Sequence, residues 1–323
     1  MCQVDPKHLP FARNDRYGDM GIKPQPLAEK CRLAVLTVTI LPLKVIGAAS
    51  CIIGFYLVCR LSEVLPASMK MPVTALLGKF FSRLCLFFIG FASIKRVKVG
   101  HAAWDRSKGD GPAAGIVSNH CSHTDILIHM ARSFPSFVAR GGTESIPLIG
   151  FISQKMQCLY VEREAKGANA KGISAAVKER MQHAASGEGP AERPMLLFPE
   201  GTTSNGTHLL PFKTGAFLAG APVQPVILKY GEGSVSPAWE SISAPQHLFL
   251  LLANVCHSVT VYELPVYVPS KEEQQDPALY ARNVRQHMLR YSDLKPSDAV
   301  LADKRAYHAK LKGEPAKDTK KRE

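Results

Sequence analysis

No CxxC pair occurs among the eight cysteines of this 323-residue chain, which are scattered at positions 2, 31, 51, 59, 85, 121, 158 and 256. Several fall inside apolar runs. That pattern argues against a disulfide framework and for a reducing compartment. There is no zinc-finger spacing and no RNP-like string. The aromatic residues, 8% of the chain, are not interleaved with the basic ones as on a single-strand nucleic-acid surface. A G-x-S-x-G nucleophile elbow is also missing, which argues against a serine hydrolase. Internal repeats are absent. Acid is in short supply: 27 Asp and Glu stand against 40 Lys and Arg, for a net charge of +13. Such an excess calls for an anionic partner. The expected partner is an acidic membrane surface or a phosphate-bearing small molecule, and not nucleic acid.

Apolar residues make up 46% of the chain, enough for a real core. Residues Leu33 to Cys59 read LAVLTVTILPLKVIGAASCIIGFYLVC, with one charge, Lys44, and one proline, Pro42. About 20 apolar residues cross a bilayer core, so this run is long enough. It starts too late for an ordinary cleaved signal peptide. Pro42 and Lys44 leave room for a bent or re-entrant hairpin. A second segment, 76–92, places Lys79 and Arg83 four apart on one helical face, with Leu76, Phe80, Phe81, Leu84, Phe87 and Phe88 available to the other. Basic and aromatic residues at that spacing suit a helix lying among lipid headgroups.

Beyond residue 95, short apolar runs alternate with amphipathic stretches. AAGIV (113–117), SFVAR (136–140), CLYVER (158–163), MLLF (195–198) and PVQPVILKY (222–230) read as strands, the last open to splitting at its prolines. ILIHMARS, SIPLIGFISQK, ANAKGISAAVKERMQHAAS and FKTGAFLAG read as helices or helical turns. SVTVYELPVYV (258–268) offers a further strand, and Ser270 with Glu273 and Pro277 predicts a helix over 277–290. The expected fold class is α/β, a mostly parallel sheet covered by helices and preceded by N-terminal membrane-associated helices. The expected organisation is a polar N-terminal segment (1–31), a membrane-associated helical region (32–95), the α/β domain (96–292) and a basic, mobile C-terminal tail (293–323).

Two polar clusters follow strand ends, where open α/β sheets bind ligands. The first is SNHCSHTD (118–125). On one continuous helix His120 and Asp125 are about 500° apart and share no face. If Ser122 caps the helix, Asp125 falls at its third position and leans back toward His120. The carboxylate then fixes the tautomer and leaves the other ring nitrogen free to accept a proton. The competing reading is a plain helix cap with His120 as a loop residue. As a zinc site the cluster is poor, because no spaced second pair completes four ligands; no metal is expected.

The second cluster is PEGTTSNG, after MLLF. Asn119-His120…Asp125, an arginine-bearing strand end (Leu159 to Arg163), Phe198-Pro-Glu-Gly-Thr202 and Ala221-Pro-Val-Gln-Pro225 occur in that order over about 110 residues. These four blocks resemble the glycerolipid acyltransferase (PlsC-like) family. SPAWESISAPQHLF, ELPVYVPSKEEQQDPALYARNVR and ADKRAYHAKL resemble its lysophospholipid acyltransferases, above all the plant-type lysophosphatidylethanolamine enzymes. The resemblance implies an acyl-CoA-dependent acyltransferase. His120 serves as general base and Asp125 orients it, while Asn119, Arg163, Glu200, Gly201, Thr202 and Lys213 bind substrate. Acyl-CoA is a co-substrate, no cofactor is tightly bound, and the partners are a lysophospholipid, acyl-CoA and a bilayer. Thr203 stands where simple lysophosphatidate acyltransferases tend to carry arginine. That favours lysophosphatidylethanolamine or lysophosphatidylcholine as acceptor, with lysophosphatidate the alternative and a non-catalytic lipid-binding protein a further one. No D-x-D-x-D-G calcium loop is present. Lys320 and Lys321 match a dilysine retrieval signal, which implies an endoplasmic-reticulum membrane address with the catalytic domain facing the cytosol.

Overall fold

The computed structural model describes residues 5–99, 113–161, 168–186 and 193–314. In chain order its helices are α1 (Leu27–Thr39), α2 (Leu41–Leu61), α3 (Ala67–Ile89), α4 (Thr124–Ser133), α5 (Ile149–Lys155), α6 (Ala168–Ser186), α7 (Ala244–Ala253), α8 (Lys271–Gln275), α9 (Pro277–Arg290) and α10 (Leu301–Leu311). Its strands are β1 (Ile94–Lys98), β2 (Gly115–Ser118), β3 (Ser136–Arg140), β4 (Leu159–Val161), β5 (Met195–Leu197), β6 (His208–Leu209), β7 (Val223–Tyr230), β8 (Val259–Glu263) and β9 (Lys295–Pro296).

Seven strands form one sheet in the order β1-β8-β7-β2-β5-β3-β4. All neighbours are parallel except β7 and β8. The α/β expectation holds. The central strands are fully buried, and their continuous apolar runs show it: β2 and β5 expose no residue. One core layer packs Met181, Tyr280 and Met288 from the covering helices, together with Phe217 from the loop after β6, on Val117 and Ile227. The opposite layer packs Leu86, Ile89 and Ile128 on Ile116, Leu196 and Val226.

The 33–59 run is not one helix. It breaks at Ile40, and Pro42 sits in the first turn of α2, where its missing N–H costs nothing. α2 and α3 are long and apolar enough to cross a membrane, by length and composition. They form an antiparallel hairpin tied to the α/β domain at both ends. At one end Lys44 Nζ donates to the carbonyls of Ile89 (3.0 Å), Asn254 (2.5 Å) and Val255 (3.2 Å). At the other, Lys155 bonds Glu63 at 2.9 Å and Arg193 bonds Thr74 at 2.8 Å. Between these ties the hairpin packs lengthwise on α4 and α5, bringing Phe55 edge-on to Phe134 at 5.5 Å.

Some expectations are corrected. β7 runs unbroken through Pro225, because a proline N–H is not needed at that register. FKTGAFLAG takes the shorter of its two expected forms, a 3-10 helical turn, Thr214–Ala216. The Ser270–Glu273 capping box is real but caps α8; Asp276 caps α9 separately. The tail from 293 is not mobile as far as 314. β9 pairs with β6, and α10 packs Tyr307 with the N-terminal Phe11 and with Leu210. The polar N-terminal segment is likewise fastened down. Buried Arg13 pairs with Asp15 (2.5 Å) and Glu240 (2.9 Å), and Phe11 is fully buried.

Candidate active site

β7, β2 and β5 are neighbours, and their carboxyl ends deliver the site. Beyond β2 come residues 119–125; beyond β5 comes the 198–206 turn; β7 ends at Tyr230. The helix after β2 begins at Thr124, with His123 before it, one residue later than a Ser122 cap requires. The reason is Asp125 itself. Its Oδ2 accepts from the backbone amides of Cys121 (2.7 Å) and Ser122 (2.9 Å), holding that loop short of helical geometry. The same oxygen faces His120 Nδ1 at 2.8 Å. The expected pairing is therefore present, reached by a loop that wraps around the carboxylate.

Asp125 is fully buried, and its side chain is out of water. Nδ1 of His120 donates to it, which leaves Nε2 as the acceptor nitrogen. The imidazole stacks on Phe198 at 4.1 Å between centroids, 16° from parallel, and keeps 19% of its side chain exposed. Oδ1 of Asp125 accepts from the Tyr230 hydroxyl, and Thr124 Oγ1 donates to that hydroxyl at 2.7 Å. Burial and the Asp125 charge push the Tyr230 phenol well above its ordinary range, so it stays a donor. Sequence reasoning missed Tyr230; its place at the end of a strand beside β2 was the available signal.

The remaining expected residues divide by what they touch. Asn119 is buried and clamps β7, donating to Leu228 O (3.0 Å) and accepting from Leu228 N (2.8 Å). Glu200 accepts from His120 N (2.8 Å) and Leu210 N (2.9 Å), so both oxygens brace the loops. Burial pushes its carboxyl up to about 8, against the pull of those two amides. Gly201 has φ +69°, and a Cβ there would lie 2.6 Å from Lys213 Nζ, the movable end of an exposed side chain; the backbone, rather than the space, calls for glycine. Thr202 is buried in the same turn. Lys213 is exposed beside Gly201. Arg163 lies outside the described residues. The Thr203 hydroxyl is turned to the backbone: it donates to Trp239 O at 2.5 Å, and Lys304 Nζ reaches it at 2.7 Å. Burial, then Asp125 and Glu200, push the Cys121 thiol far up, which removes it as a nucleophile. Among the described residues no group of three or more His, Cys, Asp or Glu is placed to hold a metal.

Two cavities meet at His120. One, about 400 Å³, runs between the hairpin and the α/β domain and is lined by apolar side chains such as Phe55, Phe81, Met130 and Ile152. The other, about 370 Å³, is bounded by α6, the Phe198–Gly201 turn and Lys213. A base at the junction of an apolar slot and a partly cationic one can deprotonate a hydroxyl presented from one side to an electrophile presented from the other.

Residues 106–229 match the family model described as Acyltransferase. The chain is 41% identical to the lysophospholipid acyltransferase LPEAT1 of Arabidopsis thaliana, over 96% of this chain and 88% of that protein. The chain belongs to the acyltransferase family. It is also 30% identical to human lysophosphatidylcholine acyltransferase 1 over 85% of its own length, spanning about half (51%) of that longer relative. Among solved structures, the acyltransferase-family fold seen here matches PlsC, the 1-acyl-sn-glycerophosphate acyltransferase of Thermotoga maritima. The TM-score is 0.52 at 17% identity, covering 80% of this chain and 97% of that one.

Proposed function

We propose that this chain is an acyl-CoA:lysophospholipid O-acyltransferase. One observation carries the reading: a His120–Asp125 pair 2.8 Å apart at the junction of an apolar and a partly cationic cavity. The acyl chain of the thioester lies in the apolar slot. The lysophospholipid enters from the Lys213 side, with Arg163 and Lys213 holding its phosphate. Nε2 of His120 takes the acceptor hydroxyl proton as the oxygen attacks the thioester carbonyl. Asp125 steadies the imidazolium. Collapse of the tetrahedral intermediate releases the coenzyme A thiolate, which recovers the proton from His120. The acceptor is itself the nucleophile, so no acyl-enzyme forms. Base assistance of this kind supplies about 10²–10⁴ in rate, and positioning two substrates supplies much of the rest.

The names of the relatives support a lysophospholipid acceptor, with lysophosphatidylethanolamine or lysophosphatidylcholine ahead of lysophosphatidate. The exposed apolar faces of α2 and α3 support a bilayer setting. Because both ends of the hairpin are fastened to one domain, it lies along that domain within one leaflet. The endoplasmic-reticulum membrane, with the catalytic domain on the cytosolic side, agrees with the free cysteines. The test is a panel assay of purified protein with labelled acyl-CoA and each lysophospholipid in turn. Transfer to lysophosphatidylethanolamine or lysophosphatidylcholine is expected. Binding of both substrates with no ester formed on any acceptor would defeat the reading.

A further inference from the structure

Arg193 stands just before β5, at the end of the sheet opposite His120, and is 5% exposed. Its Nη2 donates to Thr74 Oγ1, and its guanidinium lies 4.6 Å from the centre of the Phe134 ring. Its Nε is buried with no partner, and among the described residues no carboxylate pairs with it. A guanidinium taken out of water without an anion is costly, and such groups are found paired. The side chain lines a cavity of about 210 Å³ at the turn of the α2–α3 hairpin, with Lys70, Lys155, Ser62 and Gln157. The one carboxylate in that lining, Glu63, is already held by Lys155 at 2.9 Å and Arg60 at 3.7 Å. The cavity therefore carries excess positive charge. It shares no lining residue with either cavity at His120. Around it the hairpin tip is apolar and bare: Leu61 is 69% exposed, Val64 85% and Met69 49%.

A cationic pocket with a buried guanidinium beside a bare apolar tip has two halves, and an anionic phospholipid matches both. Its phosphate meets the fork of N–H donors, while its chains lie along the apolar tip. We propose that this cavity binds the headgroup phosphate of an anionic phospholipid, with Arg193 as the buried anchor and Lys70 and Lys155 at the mouth. The proposal rests on the hairpin lying in a bilayer, and not on the chemistry at His120. It gives the protein a lipid contact separate from its substrate site, one that sets the depth of the hairpin tip.

The test uses the full chain and three vesicle types: phosphatidylcholine alone, phosphatidylcholine with phosphatidate, and phosphatidylcholine with oleate at matched surface charge. Wild type is expected to prefer phosphatidate over oleate vesicles by about tenfold or more, the worth of a charged hydrogen bond. Arg193→Met and Lys70→Ala are expected to lose most of that preference. Lys70 is exposed, so its variant keeps the test valid if Arg193→Met fails to fold. His120→Ala is expected to bind like wild type, which separates this claim from the catalytic one. Equal binding to phosphatidate and oleate vesicles, or variants that keep the preference, would overturn the proposal. So would a melting temperature raised by inorganic phosphate without any vesicle preference, since that assigns the site to a free anion.

Discussion

At residue scale the account turns on a carboxylate that water cannot reach. Asp125 accepts from two amides, an imidazole and a phenol, and among the described residues only His120 can bring a positive charge against it. The ion pair therefore strengthens when His120 takes a proton, which is when catalysis needs it. Asp125→Asn keeps the size of the side chain but presents an amide group to loop amides and imidazole. It is expected to lower kcat by about 10²–10⁴ with little change in KM, read in a steady-state assay. Tyr230→Phe removes one donor from Asp125 and concentrates the charge on Oδ2. The carboxylate is then held by fewer bonds, and kcat is expected to fall with little change in KM; an unchanged kcat would reduce Tyr230 to packing.

At the scale of elements, the site depends on segments that hold its loops from behind. Asn205 bonds the backbone of Leu9, Pro10 and Ala12, while Ser204 N bonds His120 O at 2.9 Å. The N-terminal segment thus grips the turn that grips the loop of His120. Phe11→Ala empties a fully buried site shared with Leu210 and Tyr307. It is expected to cost about 3–5 kcal/mol, seen as a lower melting temperature and a parallel loss of activity. The sequence made the αβ alternation, β7, α9 and the 120–125 pair legible, because apolar runs and turn residues are local signals. The grip of the N-terminal segment and of α10 was not legible. Arg13 meets Glu240, and Tyr307 meets Asp19 at 2.7 Å, across more than 200 residues, and a polar composition reads the same whether a segment is solvated or strapped down. The role of Glu200 was half legible: its block was recognised, but only the fold shows both oxygens turned to amides. Arg163 lies outside the described residues.

For the whole molecule, buried titratable groups set a window of pH. Among the described residues His129 and His247 are buried without hydrogen-bond partners on either ring nitrogen, and burial lowers each to about 3; His257 is lowered to about 4. Between those values and 6.5 the unfolded chain binds more protons than the folded one. Their stabilisation is complete above pH 6.5 and is lost as pH falls through the folded values. Glu200 and Glu240, raised by burial to about 8 and about 7, act in the opposite sense and weaken the fold as pH rises toward those values. A melting temperature that peaks near neutrality is expected, and His129→Leu is expected to flatten the acidic side; an unchanged acidic slope would remove His129 from the explanation. The chain's net charge of +13 adds a salt-dependent pull toward anionic vesicles, which should weaken as ionic strength rises. The central claim is that a proton passes through His120 Nε2. Its most direct measurement is single-turnover ester formation by wild type and His120→Ala on the same vesicles at equal bound protein. The account predicts ester from wild type and none above background from the variant, with matching melting temperatures; ester formed by His120→Ala at the wild-type rate would contradict it.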